Sequence, residues 1–569
     1  MVQCPNCGGL LKFDIASQKM KCDSCSSLFE PYAFDAQGAE ETTEYEVTVF
    51  KCPQCGGEIT STDETAAGFC SYCGASNVLE SRLSKEKKPE LIIPFKKTKQ
   101  DCTAAFEHFI KKAIFAPKAY REAGRADSFR GIYMPYWLYD MSQRGDINIP
   151  TSTSHRSGDY IITDHYMMRG KLDTYYNGVS YDASSTFADD ISSDIAPYSV
   201  KDITQFSPSF LSGFYADLAD VDSGVYKETA IDLAQESTYN YLRKSSPMAG
   251  QGFDSPKETV KSGIRTNINV TRSAMFPVWF MSYRNRDRVA YATVNGQTGK
   301  VSADVPMSVP KYLMCALAIA IILFGIFQLF FTITPKVLVL LVGVIALISV
   351  LSYGSEMKKI VSLENYEDDL GMLERERKIE EKKRARTEAQ KGASFEDAQG
   401  VTGNSYVITK NDMKRAKKDT ARKKKAEKKS GGMITGIMVA VFVFVIGGTI
   451  FSGGLAEILD TGNLGIGFGI AMLVLLVIAL ISTIKAGRSI SRMRTRMGLP
   501  ASICSTVSLA LITIIVFSNS INDTLYYIIA IIAMVGVILN ILGIIRGYNY
   551  LAMRPLPQFD IYQGGDDRA

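Results

Sequence analysis

Eight of the eleven cysteines fall within the first 73 residues, all of them in C-x-x-C pairs, and this pattern constrains the chain more than any other feature. One unit opens with Cys4-Pro5-Asn6-Cys7-Gly8-Gly9 and closes with Cys22-Asp23-Ser24-Cys25. The next opens with Cys52-Pro53-Gln54-Cys55-Gly56-Gly57 and closes with Cys70-Ser71-Tyr72-Cys73-Gly74. Fourteen residues separate the inner cysteines in both, and the units repeat at an interval of 48 residues. A C-x-x-C pair presents two sulfurs to one side of a metal, and two pairs joined by a short hairpin complete a tetrahedral thiolate set. Glycine after the second cysteine lets the chain turn so that backbone N–H groups face the sulfurs. The spacing therefore predicts two small zinc ribbons, 1–30 and 48–80. Cys4, Cys7, Cys22 and Cys25 would hold one Zn2+; Cys52, Cys55, Cys70 and Cys73 would hold the other. Ser26 stands where the other knuckles carry glycine. No export signal is read at Met1-Val2-Gln3-Cys4, and no long apolar run precedes residue 313. The expectation is a reducing compartment, where paired cysteines hold metal rather than form disulfides. Complete four-thiolate sets leave no open position for substrate, so both sites read as structural and the ribbon surface as the part that meets a partner.

Catalytic signatures are scarce. The three histidines, His108, His155 and His165, lie beside no nucleophile motif. Gly170-Lys171-Leu172 and Gly299-Lys300-Val301 lack the remainder of a phosphate loop, which excludes an ATP-driven helicase. Asn295-Gly296-Gln297-Thr298-Gly299 reads as a hairpin turn. No catalytic residue is expected, and the chain does not read as an enzyme.

The second half is different in kind. Apolar runs at 313–333, 337–353, 433–452, 464–484, 501–518 and 525–545 each approach the ~20 residues a helix needs to cross a bilayer, the second at the lower limit and open to a re-entrant reading. None contains Asp, Glu, Lys, Arg or His, which argues against an ion-coupled transporter. Residues 354–432 and 485–500 are rich in lysine and arginine, whereas the intervening loops are short and nearly free of them. A multi-pass protein of the cell membrane follows, with both termini and both basic loops cytosolic. Lys414, Arg415, Lys417, Lys418, Arg422, Lys423, Lys424, Lys425, Lys428 and Lys429 form a dense basic block. Near anionic lipid each such charge gains about 1 kcal/mol, so the block fits both a lipid contact and a topology determinant. Upstream, Leu373–Lys391 mixes charges densely and reads as a solvated helix.

Between ribbons and membrane, 91–310 reads as a cytosolic α+β domain after a polar linker at 80–90. Phe106, Phe109, Ile110, Ala113 and Ile114 share one face of a helix that Asp101 would cap and Pro117 would end; Val225 to Arg243 is a second helix. Ile132–Tyr139, Tyr160–Met168, Ile264–Val270, Met275–Tyr283 and Arg288–Val294 read as strands. The two tryptophans recur in similar contexts, Tyr133-Met134-Pro135-Tyr136-Trp137 and Met275-Phe276-Pro277-Val278-Trp279, which hints at duplication. The plainer reading is two edge strands with core tryptophans. The whole is multidomain: two ribbons, the α+β domain, membrane helices 1–2 (313–353), a charged loop (354–432), membrane helices 3–6 (433–545), and a cytosolic tail (546–569).

The run from Lys51-Cys52-Pro53 to Cys73-Gly74, then Ile92-Ile93-Pro94-Phe95, then Gly131 to Asp140 resembles the TFIIB-type zinc-ribbon membrane proteins of Gram-positive bacteria. One branch of that family is encoded beside a phage-shock-type envelope-stress protein and a flotillin-like (SPFH) zinc-ribbon protein. The resemblance covers roughly residues 50–310 and implies membrane recruitment of such cytosolic partners, with no catalytic residues. An adaptor is thus the expected function. A membrane-tethered nucleic-acid regulator is the alternative, disfavoured because residues 1–80 hold only Lys12, Lys19, Lys21 and Lys51 against twelve acids. A channel or transporter is the third reading, and a passive pore is not excluded by charge-free spans.

Overall fold

A computed structural model describes residues 3–34, 44–61, 70–73, 80–118, 129–244, 252–253, 257–285, 288–330, 335–365, 369–378, 381, 462–493, 500–518 and 522–555. The chain divides into two compact units. The first comprises Met1–Pro306, Tyr366–Arg386 and Ala552–Ala569; the second comprises Met307–Asn365 and Thr387–Leu551.

In the first unit, β1 (Leu11–Asp14), β2 (Lys19–Cys22) and β3 (Leu28–Phe29) make a small sheet of their own. Among the described residues thirteen further strands share one large sheet. They are β4 (Glu44–Lys51), β5 (Glu58–Ser61), β6 (Glu80–Lys87), β7 (Leu91–Ile92), β8 (Arg130–Ser157), β9 (Tyr160–Asp182), β10 (Thr204–Gln205), β11 (Tyr215–Ala216), β12 (Gly252–Phe253), β13 (Thr266–Asn285), β14 (Arg288–Asn295), β15 (Val301–Ala303) and β16 (Arg554–Pro555). The helices are α1 (Lys99–Lys112), α2 (Asp189–Ile195), α3 (Lys227–Lys244) and α4 (Lys257–Gly263). The polar linker at 80–90 is therefore largely strand β6, and the predicted strands 264–270 and 275–283 merge into β13. Helix α1 is capped three residues earlier than expected: Thr98 is the N-cap, and Asp101 returns the bond in a capping box.

The two Pro-x-Trp segments are not edge strands. They lie side by side at the sheet centre in β8 and β13, antiparallel, with Pro135 opposite Met275, Met134 opposite Phe276 and Tyr133 opposite Pro277. A local two-fold runs through Met134 and Phe276, and the neighbouring pairings obey the same symmetry. Strand β7 runs parallel to β13 with Ile92 opposite Met275; β11 runs parallel to β8 with Ala216 opposite Tyr133. Each central strand then turns back as a hairpin, Tyr136 opposite Asp182 and Val278 opposite Asn295. The Ala183 N–H donates to Pro135 O as the Gly296 N–H donates to Pro277 O, both at 2.8 Å. Trp137 Nε1 donates to Val221 O and Trp279 Nε1 to Lys97 O, both at 2.9 Å. The chain thus runs twice through a β-α-β-β unit, β7-α1-β8-β9 and β11-α3-β13-β14. The prolines are tolerated inside central strands because each lies one residue outside its hairpin ladder, which starts at Tyr136 or Val278, so the missing N–H removes no ladder bond there.

The core beneath β7, β8 and β13 is aromatic. Phe95 stacks on Phe214 at 4.4 Å and meets Trp279 edge-on at 5.2 Å. Each such buried side chain contributes on the order of 2 kcal/mol. Gly296 is required here, since a Cβ would come within 2.7 Å of the Phe95 ring. The Asn295 turn forms as expected, its side chain accepting the N–H groups of Gln297 and Thr298 at 2.9 Å.

In the second unit, α5 (Val309–Phe330) and α6 (Pro335–Glu364) precede α8 (Gly462–Ile490), α9 (Ser502–Ser518) and α10 (Asp523–Ala552), with α7 (370–378) belonging to the first unit. Among the described residues three helices, not six, are long and apolar enough to cross a membrane: Leu338–Glu364, Leu473–Ile490 and Asp523–Ala552. Val309–Ile322 and Ser502–Ser518 are shorter apolar helices. The expected segment 337–353 extends well past its predicted end, because Lys358 and Lys359 at its foot are good helix formers that break hydrophobicity without breaking the helix. The expected span 433–452 and the basic block 414–429 lie outside the described residues. Small and polar residues bring the helices together. Asn540 Nδ2 donates to Ser349 Oγ at 2.8 Å and Ser505 Oγ at 2.9 Å, and Gly536 packs on the Ser505 backbone.

Candidate metal centres

The knuckles fold as the spacing predicts. In each, the first cysteine's N–H reaches the carbonyl five residues on, and the N–H four residues on returns to the first carbonyl. These bonds join Cys4 with Gly9 and Gly8, Cys22 with Ser27 and Ser26, and Cys52 with Gly57 and Gly56, all at 2.7–3.0 Å. The turn needs a left-handed residue, and Gly8 (φ 71°), Ser26 (φ 59°) and Gly56 (φ 72°) supply it. Gly74 lies outside the described residues.

These turns bring together all eight predicted ligands in two groups of four, the sulfurs of each within 4.8 Å of one another. Cys4 and Cys25 sulfurs are 3.6 Å apart and Cys7 and Cys22 3.4 Å; Cys52 and Cys73 are 3.7 Å apart and Cys55 and Cys70 3.6 Å. No disulfide links them. A tetrahedron with metal–sulfur bonds of about 2.3 Å has edges of about 3.8 Å, so both groups fit a four-thiolate metal.

Their settings differ. In the first ribbon Cys4 and Cys22 are buried while Cys7 and Cys25 are exposed; in the second all four are buried. The first ribbon packs on the repeat domain by side chains: Cys4, Leu11, Phe13, Met20 and Cys22 share one buried core with Phe95, Phe210, Phe214 and Trp279, and the Phe13 N–H donates to Ser212 O. The second is woven into the main sheet. Its β5 pairs with β11, Thr60 Oγ1 donates to Ala216 O, Tyr291 OH donates to Tyr72 O, and Arg284 donates to Gln54. Without metal, the Ser27 hydroxyl and N–H hold the Cys25 thiol down at about 6. The Gly9 N–H draws Cys7 the same way, but neighbouring thiols outweigh it and its thiol sits up at about 12. Neighbouring thiols likewise push Cys55 and Cys70 upward and Cys52 downward, so the thiols share protons until a metal replaces them.

No family model and no solved structure matches the chain. It is similar to "Uncharacterized protein YdjG" of Bacillus subtilis (strain 168), 28% identical over 311 residues, which is 54% of this chain and 90% of that one.

The histidines form no site. All three are exposed, and His155 sits 3.7 Å from Asp164 on the β8–β9 ribbon. The sequence predicts Ile132–Tyr139 and Tyr160–Met168 as strands, but not the long hairpin that joins them. Its 28- and 23-residue strands extend far beyond the repeat core, and Tyr160 and Ile161 at the tip are 78% and 75% exposed. The readable signal was an apolar Tyr160-Ile161-Ile162 run beside the Gly158-Asp159 turn.

Proposed function

We propose that the chain is a membrane-anchored zinc-ribbon adaptor that gathers cytosolic proteins at the cell membrane and performs no catalysis. On this reading both metals are zinc, the apolar segments make six spans, both termini are cytosolic, and the Lys414–Lys429 block meets anionic lipid. The resemblance to the TFIIB-type family makes a flotillin-like (SPFH) or phage-shock-type protein the expected partner, in envelope stress. The observation that carries the reading is the β8–β9 ribbon, which presents Tyr160, Ile161, Ile162, Tyr166 and Met167 to solvent. Among the described residues β9 pairs only with β8. A long apolar edge of this kind takes up a further strand or an apolar partner. The acid-rich ribbons favour protein over nucleic acid.

Deleting residues 1–80 would remove strands β4 and β5 from the main sheet, so the informative variant is Tyr160→Ser with Ile161→Ser and Ile162→Ser. These side chains are exposed, and stability should change by less than about 1 kcal/mol in total. The full chain, captured from detergent-solubilised membranes, should recover a flotillin-like or phage-shock-type protein that the variant loses. Equal recovery by both, or nucleic acid in place of protein, overturns the reading.

A further inference from the structure

Helix α7, within the charged loop expected to be solvated, lies against the first unit instead. Its fastening is reciprocal. Helix α2 starts at Asp189 behind Ala188, which has no side-chain cap to offer. The Asp189 N–H donates to Asp369 Oδ2 at 3.2 Å, and the Leu370 N–H donates to Asp189 Oδ2 at 2.9 Å. Each acid thus caps the other's helix. Asp369 Oδ1 also accepts the Met372 N–H at 2.8 Å, and Tyr226 OH donates to Asp189 Oδ1 at 2.8 Å. Behind them Asp182 is 2% exposed, and its Oδ1 has no hydrogen-bond partner. The remaining grip is slight: Leu370 packs beside Tyr139, Val221 and Tyr226, Arg375 donates to Ser185 Oγ, and Lys378 donates to Asp220 O. Three carboxyl groups therefore share one poorly hydrated contact. The other charged or titratable groups around it are Asp190, Asp220, Tyr136, Tyr181, Glu374 and Arg377, with Arg377 paired to Glu374 and Arg554 to Asp190.

We propose that residues 369–378 are a strap that grips the cytosolic unit through the Asp182, Asp189 and Asp369 carboxyl groups, and that losing protons from this cluster loosens it. The proposal goes beyond the adaptor reading and does not depend on it. Burial holds the Asp182 carboxyl well above its ordinary range. Burial, then the Asp189 charge, pushes Asp369 up to about 7. Burial also raises Asp189, against the Leu370 N–H and Tyr226 hydroxyl that favour its charged form. An undocked strap exposes Asp369 to water, where it titrates near 4. Docking consequently takes up protons. The hold is full below about pH 4, weakens as pH rises toward about 7, and levels off above that. Asp369 alone loosens the strap about tenfold between about pH 6 and about pH 8.

Hydrogen exchange on the full chain in lipid nanodiscs tests this, read on the peptide spanning 369–378 and corrected for the intrinsic pH dependence of exchange. Protection should fall about tenfold from about pH 6 to about pH 8. Leu370→Asp should strip protection at both values and so define the undocked state. The double variant Asp189→Asn with Asp369→Asn should show the same protection at both. The proposal is overturned if wild-type protection is the same at the two values, if the double variant keeps the wild-type fall, or if Leu370→Asp is as protected as wild type.

Discussion

The two ribbons share a cysteine spacing and a knuckle geometry, yet one is a keystone and the other an attachment. The first has its own three-stranded sheet and joins the repeat domain by side chains rather than by a shared sheet, Cys4, Leu11, Phe13, Met20 and Cys22 entering its buried core, while Cys7 and Cys25 stand in water. The second lends β4 and β5 to the main sheet, and β5 sits beside β11, a strand of the second repeat. All four of its cysteines are buried, in a cluster with Phe50, Ile59 and Tyr72. The ligand pattern sets what each site can hold, whereas the surroundings set what depends on it.

The largest effect should come from breaking each site in turn. Cys52→Ser with Cys55→Ser removes one metal and with it the pinning of β4 and β5. It should cost the domain more than about 4 kcal/mol, since loss of a structural metal is among the few changes that large. Cys7→Ser with Cys25→Ser also removes one metal but should cost the repeat domain under about 2 kcal/mol. Metal content by mass spectrometry should read two per chain in wild type and one in each variant. Urea unfolding followed on Trp137 and Trp279 should separate the variants. Equal losses of stability would mean that the first ribbon is as integral as the second, and the comparison would fail.

A smaller contrast concerns reactivity once metal is stripped. The Cys25 thiol, held down at about 6 by Ser27 and exposed, should be alkylated at a rate that climbs through about pH 6 and levels off by about pH 7. The buried cysteines of the second ribbon should react only as the domain opens. Mass spectrometry of alkylated peptides reads both; modification of Cys52 or Cys70 ahead of Cys25 would reverse the assignment.

How much of this was legible in the sequence depended on whether a residue's role is local. The eight ligands were legible because C-x-x-C and its glycine are one turn with one chemistry. The duplication showed only as two Pro-x-Trp segments, because the symmetry lives in pairings between β7 and β13 and between β11 and β8. Strand β6 was hidden by its own composition: Glu80–Lys87 is charged, which suits an edge strand paired to β4 and looks like a linker in isolation. The strap was hidden similarly, since Leu370, Met372 and Leu373 among dense charges make too short a run to carry a periodic signal. Thr98 was passed over as a cap because Asp101 is itself a good N-cap type, and only the backbone shows which of the two begins the helix.

The finest contrast rests on one residue. Gly8 and Gly56 adopt the left-handed backbone freely, whereas Ser26 holds φ 59° with a Cβ in place. Its N–H still reaches Cys22 O at 3.0 Å, so the knuckle closes, but a non-glycine residue is strained in that region. Ser26→Gly removes the strain while giving the unfolded chain more freedom, and the two nearly offset; the net gain should be about 0.5 kcal/mol. That corresponds to roughly a two- to threefold tighter hold on the first metal, readable by competition with a chelator. The reverse change, Gly56→Ser, forces strain into the buried ribbon, where the neighbouring strands restrict relaxation. It should weaken the second site by more than Ser26→Gly strengthens the first. If Ser26→Gly instead weakened the first site, the serine hydroxyl would have to be supporting the knuckle in a way its backbone does not, and the first ribbon would no longer be the second with one strained turn.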